Sequence, residues 1–245
     1  MTRIAICGRN LDDLKGLLAN HPVEIVEDHP DIVVSYGGDG ALLGAERTFP
    51  GVPKCPIRDS RSNPKCPAHR EARILDLLMA GELDSRELIK LEGVKEGCKP
   101  LVGLNDVVIN KQIMTSCVRY RLWLGDEPYA HHIVGDGVIA ATPFGSTAYY
   151  RSITRSLFHV GIGLAFNNST EPLDHLVIRE ETAVVVEIIR GPAALLADNN
   201  PRRVPLHKGD TVTIRPAAGK ATILGLNTFR CPECYRRRQD NSHPN

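Results

Sequence analysis

The chain has 245 residues, 42% of them apolar, 24% charged and only 5% aromatic, with a formal net charge of +1. That length gives one large domain or two small ones around an aliphatic core, and the near-zero charge excludes a dedicated nucleic-acid surface, which needs a basic excess. No charge-free stretch approaches the roughly 20 residues of a membrane span. The opening residues 1–7 read as a strand and are too short for a signal peptide, so the expectation is a cytoplasmic protein. Seven cysteines, an odd number, then read as thiols or metal ligands before disulfides.

Arg3 to Cys7 reads as a buried strand. Leu11, Leu14, Leu17 and Leu18 recur at helical spacing and place an amphipathic helix over 11–20. Val23–Val26 and Ile32–Ser35 read as short strands, and 41–47 continues as a helix. This order fits a mainly parallel sheet covered by helices. Pro50, Pro53, Pro56, Pro64 and Pro67 exclude a long helix or a central strand from 50–70. Residues 71–80 return to helix, with Ile74, Leu75, Leu77 and Leu78 on one face. Beyond about residue 86 the texture turns to β, with strands at 88–95, 101–110, 116–124, 132–141, 176–178, 183–189, 211–215 and 222–224. The expected architecture is an α/β N-terminal domain over 1–86 and a larger β-rich domain over 87–224. The tail from Arg236 onward reads as frayed and solvated.

Two glycine-rich segments stand about a hundred residues apart. The first, Gly37-Gly38-Asp39-Gly40, follows the apolar run 32–36 directly. Glycines there let backbone amides approach a phosphate, and the following helix adds its positive end. Asp39 would repel phosphate unless it serves as a base toward a hydroxyl or binds Mg²⁺. The plainer reading is a tight turn with a helix-capping Asp. The second segment runs from Gly135-Asp136-Gly137 into Thr142-Pro143-Phe144-Gly145-Ser146-Thr147-Ala148-Tyr149. Its amides and hydroxyls at a helix start suit an anion or ribose oxygens. Between them Asn105 and Asp106 open an apolar strand, a place for polar readout of a base or ribose, or an Asx turn.

This ordered set resembles the NAD kinase family, from the first strand to about residue 152 and more faintly to 224. The resemblance implies a small α/β domain, rejoined by the chain end at 225–245, and a larger β-rich domain that binds NAD. It implies transfer of the ATP γ-phosphate to the 2′-hydroxyl of the adenosine ribose of NAD, with Mg²⁺ carrying the nucleotide. Asp39 would be the catalytic carboxylate, with Gly37, Gly38 and Gly40 around the phosphates. Asn105 and Asp106 would hold the adenosine of NAD. Asp136 would meet the dinucleotide across a subunit interface of a homodimer or homotetramer. Thr147, Ala148, Tyr149 and Ser152 would line the adenine and ribose pocket. The chain departs from the family where Asp106 replaces a longer Glu, where Pro56 to Pro64 replaces a glycine-rich segment, and where Ser152 to Ser156 replaces Ser-Ala-Gly-Gly-Pro. Arg58 and Arg61 in the first replaced segment read as phosphate ligands or as part of a solvated loop. Asp198 begins a turn between strands and reads as a turn residue before a site residue. A same-fold kinase with another hydroxyl acceptor (a nucleotide, sugar or lipid) and a non-catalytic, zinc-stabilised nucleotide sensor are the competing functions.

Cys66-Pro67-Ala68-His69 and Cys231-Pro232-Glu233-Cys234 share a Cys-Pro-x-ligand form. Together they offer a Cys₃His set for structural zinc, with Cys55 as an alternative to His69. The competing reading is free thiols in a loop and a tail. Cys7, Cys98 and Cys117 read as core residues, and His131 and His132 as structural.

Overall fold

The computed structural model of the chain describes residues 1–61 and 66–236. The expectations placed on Pro64 and on the tail beyond residue 236 lie outside the described residues. The chain divides into two compact units, Met1–Leu88 with the segment from Ala221 onward, and Ile89–Lys220.

The first unit contains β1 (Thr2–Gly8), α1 (Leu11–Leu18), β2 (Val23–Ile25), β3 (Ile32–Tyr36), α2 (Asp39–Thr48), β4 (Lys54–Ile57), α3 (Glu71–Met79) and β5 (Ser85–Leu88). The returning chain adds β18 (Ala221–Leu224) and α5 (Leu226–Phe229). They build a six-stranded sheet in the order β2-β1-β3-β4-β18-β5, parallel except for the β18–β5 pair. Side chains alternate across the strands. Ile4 and Val34 face Leu14 and Leu18 of α1 and Ile74 and Leu75 of α3. Ala5 and Val33 face the opposite side, against Ala45 of α2.

The proline-rich stretch departs from expectation, because β4 is an inner strand and contains Pro56. The register explains how. Pro53 accepts from Val33 and Ile57 accepts from Gly37, each at 2.8–2.9 Å, so odd-numbered residues bond to β3. Pro56 turns its nitrogen to the other side, where β18 pairs with β4 only at Lys54. The missing N–H therefore costs no ladder bond. Lys54 is fully buried, ion-paired with buried Glu46 and donating to the Phe49 carbonyl at 2.6 Å.

The second unit contains β6 (Leu91–Lys95), β7 (Leu101–Gly103), β8 (Asp106–Lys111), β9 (Val118–Leu124), β10 (Glu127–Gly135), β11 (Gly137–Ala141), α4 (Tyr149–Thr154), β12 (Ile162–Asn167), β13 (His175–Ile178), β14 (Val184–Arg190), β15 (Ala193–Ala197), β16 (Val204–Leu206) and β17 (Thr211–Pro216). These strands form two six-stranded antiparallel sheets, β10-β9-β14-β17-β6-β7 and β13-β12-β11-β8-β15-β16. One core lies between them, where Tyr120, Leu122, Val186 and Ile214 meet Ile109, Val138, Leu164 and Leu195. A Cβ on Gly93 would stand 2.8 Å from both Leu195 and Val107, so glycine lets the two sheets close there.

Three strands expected as continuous are divided. The stretch 88–95 is split between the two units. The stretches 101–110 and 132–141 are broken at Leu104-Asn105 and at Asp136. β12, β15 and β16 were not anticipated, because IGLAFN, AALLA and VPL are rich in Gly, Ala and Pro, which carry little strand signal. Cys7, Cys98 and Cys117, expected in the core, are partly buried; Cys7 and Cys98 pack against core clusters.

Candidate active site

In the first unit, β3 delivers the chain to Gly37, whose φ of 138° is open to glycine and strained for any side chain. Extended Gly38 is the N-cap of α2, and Asp39 is its first residue. The carboxylate thus stands at a helix N-terminus, where exposed amides and the helix dipole favour negative charge. Beneath it lies Arg58, one residue past β4. Arg58 donates through Nη2 to Asp39 Oδ1 at 3.0 Å and through Nε to the Phe229 carbonyl at 3.0 Å. Its guanidinium carbon lies 4.0 Å from the centre of the Phe229 ring, a cation–π arrangement. Burial of Arg58 overturns the solvated-loop reading for this residue. Half-buried Arg230 also feels the charge of Asp39, and burial holds its pKa below the usual guanidinium range. Arg61, by contrast, is half-exposed and pairs with Asp59 and Asp13. Hydrogen bonds from Arg61 and Asn10 hold Asp59 down to about 2 against the pull of burial.

In the second unit, β8 and β11 run antiparallel with Asp106 opposite Ala141. This pairing brings Asn105 and Asp106 to the run that follows β11. Thr142 fastens the two segments: its Oγ1 donates to the Leu104 carbonyl at 2.7 Å and accepts from the Gly145 amide at 3.0 Å, while its own amide donates to the Asn105 carbonyl at 2.9 Å. A Cβ on Gly145 would lie 1.9 Å from that same carbonyl oxygen. Asp198, at φ 47°, accepts from the amides of Leu104, Asn105 and Asp106 at 2.7, 2.8 and 3.1 Å. The Asn105 side chain is 6% exposed, and its Oδ1 is buried with no hydrogen-bond partner among the described residues. Burial, and secondarily the Asp198 charge, push Asp106 up to about 7.

Asp136 lies at the opposite end of β11, ion-paired with Lys111 at 2.8 Å. Tyr149 spans the interval: its hydroxyl accepts from Asn167 Nδ2 at 3.1 Å, and its pKa is raised by burial and then by Asp136 and Asp106. Ala148 is the N-cap of α4, Thr147 Oγ1 stands 3.4 Å from the Phe144 carbonyl, and the Ser152 hydroxyl donates to the Tyr149 carbonyl at 2.7 Å. The Ser146 hydroxyl is buried against the Pro143 and Phe158 carbonyls at 2.8 and 3.1 Å. It is a fastening of the turn. Asn105, Asp106, Asp136 and the 147–152 run therefore lie in the second unit, with Asp136 at the far end of β11 from Asp106, while Asp39 with Gly37, Gly38, Gly40 and Arg58 gathers in the first. Sequence reasoning missed the fastening roles of Thr142 and Lys111 and underrated Asp198. Asp198 was visible as an acid in a turn, but only pairing of β15 with β8 brings it to Asn105.

The two Cys-Pro-x-ligand segments meet in the first unit. One donor atom from each of Cys66, His69, Cys231 and Cys234 lies within 4.8 Å of all the others. Cys55 is not among them; it is buried in β4, in the core with Ile57 and Leu75.

Comparison with known proteins yields a consistent set of relatives. A model of the ATP-NAD kinase C-terminal domain matches residues 104–226, half of the chain. The NAD kinase of Koribacter versatilis is 28% identical over 226 residues, covering 87% of this chain and 79% of its own. That of Clostridium perfringens is 35% identical over 126 residues, 49% of this chain and 45% of its own. Among solved structures, yeast NADH kinase complexed with NADH superposes with a TM-score of 0.81 at 13% identity, over 99% of this chain and 87% of that one. An NAD kinase from Archaeoglobus fulgidus in complex with ATP gives 0.76 at 17% identity, over 97% and 98%. At those identities the structural likeness shows the shared sheet-rich fold.

Proposed function

The chain belongs to the NAD kinase family, and from that premise we propose that it transfers the γ-phosphate of ATP to the 2′-hydroxyl of the adenosine ribose of NAD. The ribose oxygen forms a bond to the γ-phosphorus, the bond from that phosphorus to the β–γ bridging oxygen breaks, and ADP leaves with NADP as product. Asp39 accepts the hydroxyl proton and passes it to solvent. With Oδ1 engaged by Arg58, Oδ2 is the oxygen that takes the proton. Phosphoryl transfer asks the protein chiefly for positioning and charge neutralisation, and the amides of the Gly37–Gly40 turn and the α2 N-terminus suit the phosphates. Mg²⁺ would arrive with the nucleotide and neutralise phosphate charge.

The observation that carries the reading is the Asn105 Oδ1 atom. A buried acceptor without a partner is costly, and a donor on the adenosine of NAD would satisfy it. Asp106, titrating near neutrality, would accept from a ribose hydroxyl or donate to a base nitrogen. Tyr149 and the 147–152 run would pack against adenine and ribose. A homodimer or homotetramer in which Asp136 faces the dinucleotide of a neighbouring copy, and a cytoplasmic location, belong to the same proposal. The test is incubation with Mg-ATP and NAD, with NADP as the expected product. Turnover of ATP with a different hydroxyl acceptor and none with NAD would move the reading to a same-fold kinase of other specificity.

A further inference from the structure

We propose that Cys66, His69, Cys231 and Cys234 bind one Zn²⁺, a structural site that fastens the C-terminal segment of the first unit beside the Arg58–Asp39 pair. Tetrahedral zinc with sulfur and imidazole ligands spaces its donor atoms about 3.5–3.8 Å apart. Here Cys66 Sγ lies 3.2 Å from His69 Nδ1 and 3.5 Å from Cys234 Sγ, and Cys234 Sγ lies 3.5 Å from His69 Nδ1. The sulfurs are too far apart for a disulfide, whose bond is about 2.05 Å, and all four donors fall within 4.8 Å. That spread fits one ion and is too tight for a cluster of irons and sulfides. Three sulfurs and one imidazole this close together are a donor set of structural zinc.

The two halves of the site are built alike. Cys66 caps a 3₁₀ turn with Pro67 at its first position, and the His69 amide donates to the Cys66 carbonyl at 3.0 Å. Cys231 precedes helical residues 232–236, and the Tyr235 amide donates to its carbonyl at 3.0 Å. In each half proline pre-sets the turn and returns the second ligand toward the first. Amides also face the sulfurs: Cys66 N–H points at Cys234 Sγ at 3.5 Å, and the amides of Glu233 and Cys234 face Cys231 Sγ. Such outer hydrogen bonds support thiolate ligands. The Pro67–His69 turn buries none of its residues, so a metal supplies the order that packing does not. Phe229, whose carbonyl receives Arg58, lies two residues before Cys231. The zinc site thus anchors the segment that holds Arg58 against Asp39.

The metal assignment does not depend on the proposed kinase activity, and its test reads the metal directly. The full chain, purified without added metal, is expected to carry about one zinc per chain by elemental analysis. Cys234→Ser and Cys231→Ser are expected to lose it, while Cys98→Ser, in the second unit, keeps it. To read the site without any substitution, the unmodified chain is also exchanged into Co²⁺, where a tetrahedral, thiolate-rich absorption spectrum is expected. On treatment with a chelator the chain should lose several degrees of melting temperature. Zinc retained by both cysteine variants, iron in place of zinc, a Cys66–Cys234 disulfide, or an octahedral Co²⁺ spectrum would each overturn the proposal.

Discussion

Arg58 and Asp39 form an ion pair across 3.0 Å in which one partner is hidden and the other is not: the Arg58 side chain is 10% exposed and that of Asp39 45%. The buried guanidinium is fixed independently by the Phe229 carbonyl and ring. Asp39 is therefore oriented from beneath while its outer oxygen stays accessible. Loss of the carboxylate outright would strand a buried charge, a cost of several kcal/mol. Asp39→Asn keeps an oxygen for Arg58 and is the cleaner probe of chemistry.

Arg58→Lys preserves charge but cannot make the same two bonds from one planar fork. If Arg58 positions Asp39, kcat falls by about 10²-fold, the scale of a small misplacement at a reacting centre, and KM for ATP stays within a few-fold. Steady-state kinetics with ATP varied separates this from a phosphate-binding role, which would raise KM first.

Asp106 sets a pH dependence. Burial and the Asp198 charge push its carboxyl from the ordinary 3.8 up to about 7 in the folded chain. Between those values the folded state keeps a proton that the unfolded state has released, so this stabilising contribution is complete below about pH 4 and lost as pH rises through 7. Asp106→Asn should gain stability relative to the parent at pH 8 compared with pH 5, while KM for NAD rises. Urea midpoints at the two pH values check the first; equal differences at both would contradict it. Asp59, held near 2, acts in the opposite sense and loses its contribution as pH falls from about 4 toward 2.

Gly145→Ala places a methyl group 1.9 Å from the Asn105 carbonyl oxygen, so the backbone of the Asn105 turn must shift. The expected cost is about 1–3 kcal/mol of stability, with a rise in KM for NAD larger than any rise in KM for ATP. Chemical denaturation and kinetics with each substrate varied measure both.

Glu46→Leu removes the carboxylate that is ion-paired with buried Lys54 in the first unit. The expected loss is about 3–5 kcal/mol, most of it recovered in Lys54→Met/Glu46→Leu, where both charges are gone. Thermal melts of the single and double variants decide it; no recovery in the double would mean that Lys54 is needed for its bond to the Phe49 carbonyl.

The parallel sheet of the first unit was legible because its strands are apolar runs that alternate with helical spacing, and the glycine turn at residues 37–40 announced itself by composition. Pro56 misled, since a proline excludes a strand only where its nitrogen faces a paired neighbour. The second unit was read as β but not strand by strand, because the breaks at Asn105 and Asp136 sit inside continuous apolar stretches, and β12, β15 and β16 are short or rich in small residues. Motif residues were visible as motifs. Thr142 and Asp198 were not, because what makes them matter is a set of hydrogen bonds to backbone, one of them reaching across 94 positions, and no local pattern encodes that.

In the proposed reaction Asp39 removes a proton from the ribose hydroxyl of NAD as phosphate arrives from ATP. The most direct measurement is NADP formation from Mg-ATP and NAD by the unmodified chain and by Asp39→Asn, with folding of both checked by melting temperature. NADP from the parent, and a loss of at least about 10²-fold in kcat in a folded Asp39→Asn, is the expected result. NADP formed at the parental rate by the folded variant would contradict the account.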